Sequence, residues 1–231
     1  MPTPSEPVDE FDATSSTAAD PVLPAGYSLR LLDWADLPAV HTLENRLFPL
    51  DAWPLSFFEE ELAQAVPEPD GGTRDYRVIT GPVPGSASGK TATGTAVTGT
   101  AVTGTAVIDA DRDAGAGEAA DVVLGYCGLM CVPPLADVQT IAVAPEAEGH
   151  GLGTAMLLWM VAEAARRRAT DLLLEVRADN PRAQRLYERH GFEHIHTRAG
   201  YYPGDPGVGG GRVDALIMRR HLGVRRNLAG A

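Results

Sequence analysis

The chain contains a single lysine, Lys90, among its 19 basic residues, and only two cysteines, Cys127 and Cys131, in 231 residues. It lacks any run of the roughly 18 to 20 apolar residues that a membrane helix requires. Its N-terminal region also lacks the basic-then-apolar layout of a secretory signal. Both absences argue against a membrane partner and lead to the expectation of a cytoplasmic protein. The two cysteines lie four apart in what reads as one strand, an awkward geometry for a disulfide, so they are expected to be buried thiols in a reducing compartment. No CxxC or Cys/His spacing suggests a structural metal. His190, His194 and His196 straddle a helix end and a strand with only Glu193 nearby, and no metal site is expected there either. Basic residues are scarce at the front: the first 160 positions carry 6 Lys+Arg against 23 Asp+Glu, and the rest carry 13 against 8. An acidic front of this kind excludes general nucleic-acid binding, while the basic remainder suits a small phosphorylated ligand.

The hydrophobic content of 44% is that of a globular chain of one or two domains. Residues 1–25 hold five acids, no Lys or Arg and no apolar period, so they read as a disordered tail. Residues 81–121 enclose three tandem copies of Thr-Gly-Thr-Ala-Val starting at Thr93, Thr98 and Thr103. An odd period turns successive copies to opposite faces of a strand, so this stretch reads as a low-complexity surface insertion, with an added hairpin as the other option. The folded domain is expected over 26–221, with 222–231 as a second tail.

Within it, the pattern predicts strands at 27–32, 75–80, 122–132, 138–143, 171–177, 192–199 and 212–220. Helices are predicted near 36–47, with Asp36 as cap and Pro38 in the first turn, and at 57–65, where Ser56 and Glu59 have the spacing of a capping box. Two more are predicted at 152–168 and 180–190, the last stopping at Gly191. The fold class is α/β: a mixed, mostly antiparallel sheet holding one parallel, right-handed crossover between strands 138–143 and 171–177.

The run Glu148-Gly149-His150-Gly151-Leu152-Gly153 follows a strand and opens a helix. Such a turn is either a simple tight turn or a site where helix-start amides bind phosphate. It is not a Walker A loop and lacks the third glycine of a dinucleotide fingerprint. On the strand after that helix, Glu175 is either a working carboxylate at the ligand-binding end of a parallel strand or a partner of Arg177. Tyr187 lies two turns from Asn180 on the next helix and is open to reading as a core residue or a site residue. Trp53, Phe57 and Phe58 either line a groove or pack a helix on the sheet. Tyr201 and Tyr202 point opposite ways if extended, so that one reaches outward.

Taken in order, Ile141-Ala142-Val143, Gly151-Leu152-Gly153, the stretch from Leu174 to Asn180, Leu186-Tyr187, Gly191-Phe192, Tyr201-Tyr202-Pro203 and the stretch from Asp214 to Met218 resemble the Gcn5-related N-acetyltransferase family, and within it the RimI subgroup. Leu47-Phe48-Pro49 and Ala52-Trp53-Pro54 match that subgroup's substrate-side helices. The resemblance implies acetyl-CoA as co-substrate, without a metal. It implies transfer of acetyl to a protein N-terminal amine, most closely the N-terminal alanine of small-subunit ribosomal protein eighteen. The alternatives are a lysine or small amine, or a silent CoA-binding module. It places the cofactor on Ile141, Ala142, Val143, Gly149, His150, Gly151, Leu152, Gly153, Thr154 and Asn180. Glu175 is implied as base, Tyr187 as acid, and Trp53, Tyr201 and Tyr202 as substrate contacts.

Proton arithmetic favours an α-amine: with reference pKa values of about 7.7 to 8.0 against 10.4, freeing a lysine costs roughly 3 to 4 kcal/mol more. Glu148 departs from the family's usual Gln or Arg and is expected to face solvent. The arginines at 166–168 are expected to form a solvated helix end. Glu44, Asp51 and the acids at 59–61 are expected to draw a basic second residue of the substrate.

Overall fold

The computed structural model describes residues 23–65, 72–84, 122–208 and 210–223. Residues 1–22 of the acidic tail, the Thr-Gly-Thr-Ala-Val repeats and the last eight residues lie outside them. Eleven strands and α-helices run in the order β1 (Ser28–Leu31), α1 (Leu37–Leu47), α2 (Leu55–Ala63), β2 (Arg74–Gly81), β3 (Val122–Val132), β4 (Leu135–Val143), α3 (Leu152–Arg166), β5 (Asp171–Arg177), α4 (Pro181–Arg189), β6 (Glu193–Pro203) and β7 (Arg212–His221). One sheet takes all seven strands in the order β1-β2-β3-β4-β5-β7-β6. Every neighbouring pair is antiparallel except β4 with β5.

Strand alternation assigns the two covering layers. A Cβ at Gly125 would meet Met156 of α3, whereas the next residue, Tyr126, reaches Glu44 of α1 and Phe58 of α2. Adjacent residues of a strand face opposite ways, so α3 covers one side and α1 with α2 the other. Val40, Leu43 and Phe58 fill the core on one side, and Met156, Leu157 and Met160 fill it on the other. Leu172, Leu174 and Val176 of β5 are buried, leaving Leu173, Glu175 and Arg177 on the opposite face, as their spacing requires.

Strand β4 carries an irregularity that matters for the site. Gly128 faces Thr140 but Leu129 faces Val138, so Gln139 is an extra residue, a bulge. Pairing with β5 is limited to Leu135–Asp137 against Asp171–Leu173. Beyond Asp137 the two parallel strands diverge, and the rest of β4 has no ladder partner on that side.

Several local expectations are corrected. Asp36 precedes α1 but makes no cap bond to it; its carboxylate turns back to the Asp33 amide and to Arg30 at 2.6 and 2.7 Å. Helix α2 begins at Leu55 after Pro54, and no Ser56 capping box forms, because Ser56 already lies inside the first turn. The arginines closing α3 are not all solvated. The Arg167 side chain is 9% exposed and bonds Glu163, Asp75 and the carbonyl of Gly72, tying the end of α3 to β2. Arg168, at φ 67°, ends the helix in the left-handed region. Cys127 and Cys131 are free and buried, and burial pushes both thiols above their ordinary range.

Candidate active site

The parting of β4 from β5 opens a cavity of about 550 Å³, lined from β4 by Val138, Gln139, Thr140 and Ile141, and from β5 by Leu174, Glu175, Val176 and Arg177. Helix α4 adds Asn180, Ala183 and Tyr187, β6 adds Tyr201, Tyr202 and Pro203, and α1 with the loop after it adds Glu44, Phe48, Asp51 and Trp53. Sequence separations of well over 100 residues thus converge on one hollow.

The backbone on its β4 side is open. The amide of Ala144 donates to Leu124 O at 2.8 Å, toward β3. Successive strand amides alternate, so the Val143 N–H points the other way, into the gap left by β5. Just beyond, Gly149 (φ 80°) and Gly151 (φ 78°) take left-handed conformations, and Gly151 is the N-cap of α3 with no side-chain cap. A left-handed backbone is costly for residues with a Cβ, so glycine is required by conformation and not by crowding: nothing lies within 4 Å of an added Cβ at either position. The first intrahelical bond is Ala155 N–H to Gly151 O at 2.9 Å, which leaves the amides of Leu152, Gly153 and Thr154 without intrahelical acceptors. A Cβ added at Gly153 would lie 3.6 Å from Val143 and 4.0 Å from Leu186, an ordinary contact distance.

Glu148 is exposed, as expected, and its carboxylate is paired with Arg182 in the first turn of α4. A cation from the neighbouring helix therefore answers its charge. His150 is also exposed, with its Nδ1 3.0 Å from the Glu148 carbonyl. Asn180 caps α4, its side-chain oxygen accepting from the Ala183 amide at 3.0 Å, and so fixes the helix that carries Tyr187.

Tyr187 is 6% exposed and its ring leans on Phe192 at 5.9 Å. Burial, then the nearby Tyr202, pushes its hydroxyl pKa up to about 12, so the group is a protonated O–H at neutral pH. No hydrogen bond to that hydroxyl is formed by the described residues. Glu175 does not pair with Arg177. Arg198 of β6 reaches across and donates from Nη1 to Glu175 Oε1 at 2.7 Å, while Arg177 engages Asp179 at 3.0 Å and Asp51 at 3.5 Å.

The aromatic wall is more ordered than sequence alternation suggested. Tyr201 and Tyr202 both line the cavity, edge to face at 4.9 Å, because β6 breaks register between Arg198 and Tyr202. Burial and the charge of Glu175 push Tyr202 up to about 12. Trp53 does both jobs considered for it: it borders the cavity and stacks on Phe57 and Phe58 at 4.5 and 5.4 Å.

Of the acids expected to meet a basic substrate, Glu44 and Asp51 reach the cavity and Glu59, Glu60 and Glu61 do not. Glu61 is buried against Arg74 and Tyr76 at 2.6 and 2.8 Å, a structural role set by its inward helical face. Glu44 is 3% exposed, accepts the Trp53 amide at 2.9 Å and the Tyr126 hydroxyl, and has its pKa raised by burial. Arg198 and Arg182 were not anticipated. No spacing along the chain announces them, since each acts across a different strand or helix. Among the described residues no cluster of metal-ligating side chains is present, and no helix is long and apolar enough to cross a membrane.

Comparison with known proteins agrees with this geometry. Residues 96–192 match the Acetyltransferase (GNAT) family. The chain is 42% identical over 83 residues to the [ribosomal protein bS18]-alanine N-acetyltransferase of Escherichia coli, covering 36% of this chain and 53% of that protein. It is 38% identical over 94 residues to the putative enzyme of the same name from Bacillus subtilis, covering 41% and 58%. The chain thus spans little more than half the length of these curated relatives. The crystal structure of the E. coli ribosomal-protein-S18-alanine N-acetyltransferase superposes with a TM-score of 0.60 at 23% identity, over 89% of this chain and 99% of that one. A spermidine N-acetyltransferase from Vibrio cholerae, solved with CoA and spermine, gives 0.57 at 17% identity over 86% and 97%. With its diverging parallel strands and glycine-bounded helix start, the chain has the fold of these acetyltransferases, and its residues 96–192 are similar to the acetyltransferase (GNAT) family.

Proposed function

We propose that the protein is an acetyl-CoA-dependent N-acetyltransferase of the cytoplasm, acting through a domain at 26–221 on the α-amine of a protein N-terminus. The first candidate substrate is the N-terminal alanine of small-subunit ribosomal protein eighteen, the target named for its E. coli and B. subtilis relatives. The observation that carries this reading is the divergence of β4 from β5 after Asp137, which leaves the later part of β4 without a partner on that side and opens a cavity that holds Glu175 and Tyr187.

The residues fit the cofactor. The amides of Leu152, Gly153 and Thr154 lack intrahelical acceptors at a helix start, a setting that binds phosphate, with Gly149, His150 and Gly151 leading into it, and Arg182 answers the carboxylate of Glu148 beside them. Ile141, Ala142 and Val143 would hold the pantetheine arm as an added strand edge, with Asn180 fixing α4 opposite. When bound, acetyl-CoA supplies the activated acyl group. The Val143 N–H would donate to the acyl oxygen as negative charge gathers there; preorganised donors of this kind are worth several kcal/mol. Glu175 would accept the proton of the attacking amine through its free oxygen, directly or across a water. Tyr187, protonated at neutral pH, would give its proton to the departing thiolate. Both cysteines are buried and held as thiols, so neither serves as a nucleophile, and transfer is direct. Trp53, Tyr201 and Tyr202 would frame the incoming N-terminus.

CoA release with acetyl-CoA and a peptide carrying the ribosomal N-terminus, compared with the same peptide blocked at its α-amine, tests the reading. Release only from the free amine is expected. No release despite bound acetyl-CoA would move the activity to a lysine or small amine, or leave a silent module.

A further inference from the structure

We infer that Arg198 and Asp137 are positioning residues for Glu175, a cation on β6 and a carboxylate on β4 that bracket it and set its proton affinity from opposite sides. The inference rests on the reading of Glu175 as the base.

Arg198 engages only one carboxylate oxygen, Oε1, at 2.7 Å, which leaves Oε2 without a hydrogen bond from the described residues. Its guanidinium lies 3.7 Å from the Tyr201 ring centroid, held between a carboxylate and an aromatic face. Tyr201 meets Tyr202 at 4.9 Å, and Arg177 lies 5.2 Å over Tyr202 while paired with Asp51. Arg198 is therefore the last rung of a stacked ladder running from the loop after α1 to Glu175, and its position is held at both ends.

Asp137 stands on the other flank. It faces Leu173 in the last rung of the parallel pair, and Glu175, two residues further along β5, shares that face where the strands part. The Asp137 carboxylate is half-buried and makes no hydrogen bond or ion pair with the described residues. Burial first, and then the charge of Glu175, raises its pKa. That repulsion is mutual. The other charged or titratable groups on this side are Arg177 of β5, His196 in the same row of β6 through Ile217 of β7, Tyr187, Tyr201 and Tyr202, and Glu44 and Asp51. Arg177 is occupied by Asp179 and Asp51, and Glu44 by Trp53 and Tyr126. Arg198 contacts the Glu175 carboxylate directly, and Asp137 brings an uncompensated carboxylate. The cation fixes the aim of the Glu175 carboxylate, and Asp137 places a second negative charge on its other flank.

The test is a carboxyl carbon-13 titration of the full chain labelled at Glu, with the Glu175 signal assigned by its loss in Glu175→Gln. Arg198→Gln should move the midpoint up by about one pH unit, a tenfold change in proton affinity, and Asp137→Asn should move it down by about half a unit. Arg198→Lys, which keeps the charge, should stay within about 0.3 unit of wild type. Midpoints unmoved in both charge-removing variants, or moved in one direction, overturn the bracket. If Glu175→Gln keeps wild-type kcat/KM on the peptide, the base reading fails instead and takes the positioning roles with it. If Glu175→Gln is inactive while the midpoints stay still, the base stands and only the bracket is lost.

Discussion

Replacing Glu44 by alanine removes the acceptor that two buried donors share, the Trp53 amide at 2.9 Å and the Tyr126 hydroxyl. A buried donor left unpaired costs about 1 to 3 kcal/mol, so two give roughly 2 to 6. Against this stands relief from a carboxylate that burial disfavours in its ionised form, the cause of its raised pKa. The balance is a loss of about 2 to 4 kcal/mol. Glu44→Gln is the informative control. Its amide oxygen still accepts the Trp53 N–H, and its NH2 donates to a Tyr126 hydroxyl that only has to rotate, so the loss should stay near 1 kcal/mol or below. Urea denaturation at pH 7 measures both. The pH dependence adds a sign. The folded pKa is raised, so the folded state binds the proton more tightly than the unfolded state. The penalty of ionised Glu44 is then fully present above the folded pKa and fades as pH falls toward the unfolded value. Wild type should therefore gain on Glu44→Gln as pH falls from neutral toward the ordinary carboxylate value of 4.5. Equal stabilities of the Ala and Gln variants would refute the reasoning, since they would mean that the two donors find other acceptors at no cost.

Other consequences are equally direct. Tyr187→Phe removes a hydroxyl that the described residues do not bond, so stability should hold while kcat falls about 10- to 100-fold; an unchanged kcat would remove Tyr187 from the proton path. Gly151→Ala forces a Cβ into φ 78° with open space around it, so it should cost about 1 to 2 kcal/mol and weaken acetyl-CoA binding measured by calorimetry. Gly153→Ala, helical and at ordinary contact distance, should not destabilise, and similar losses for both glycines would contradict the conformational argument. Arg167→Met breaks bonds to Glu163, Asp75 and Gly72 at once; Arg166 and Arg77 still attend the two acids, so urea melts should show a loss of about 2 to 4 kcal/mol. Burial pushes Glu163 up, but the hydrogen bonds from Arg166 and Arg167 outweigh it and hold its pKa at about 2. That stabilisation is present above its ordinary value of 4.5 and lost as pH falls toward about 2, and this acid loss should shrink in Arg167→Met.

The elements were legible where a local signal is strong. Period-two burial marked β5, and Gly191 at φ 78° closes α4 where its position implied. Local rules failed where the chain has nearby alternatives. Ser56 has capping-box spacing, yet Pro54 starts the helix two residues earlier than expected and places Ser56 in its first turn. Arg167 reads as a solvated helix end until β2 is brought beside it.

By itself the sequence determined the alternation of strands and helices, the glycine-bounded turn after β4, the left-handed positions only glycine fills cheaply, and the carboxylate and tyrosine at the ends of β5 and α4. These follow from backbone sterics and from periodicity over a few residues. Tertiary structure alone decided that β4 and β5 part after Asp137, that Arg198 and not Arg177 meets Glu175, that Arg182 answers Glu148, and that Glu44 is buried against Tyr126. Each joins residues tens of positions apart or turns on a bulge and a register shift, and a carboxylate's partner is the cation that sheet order brings to it.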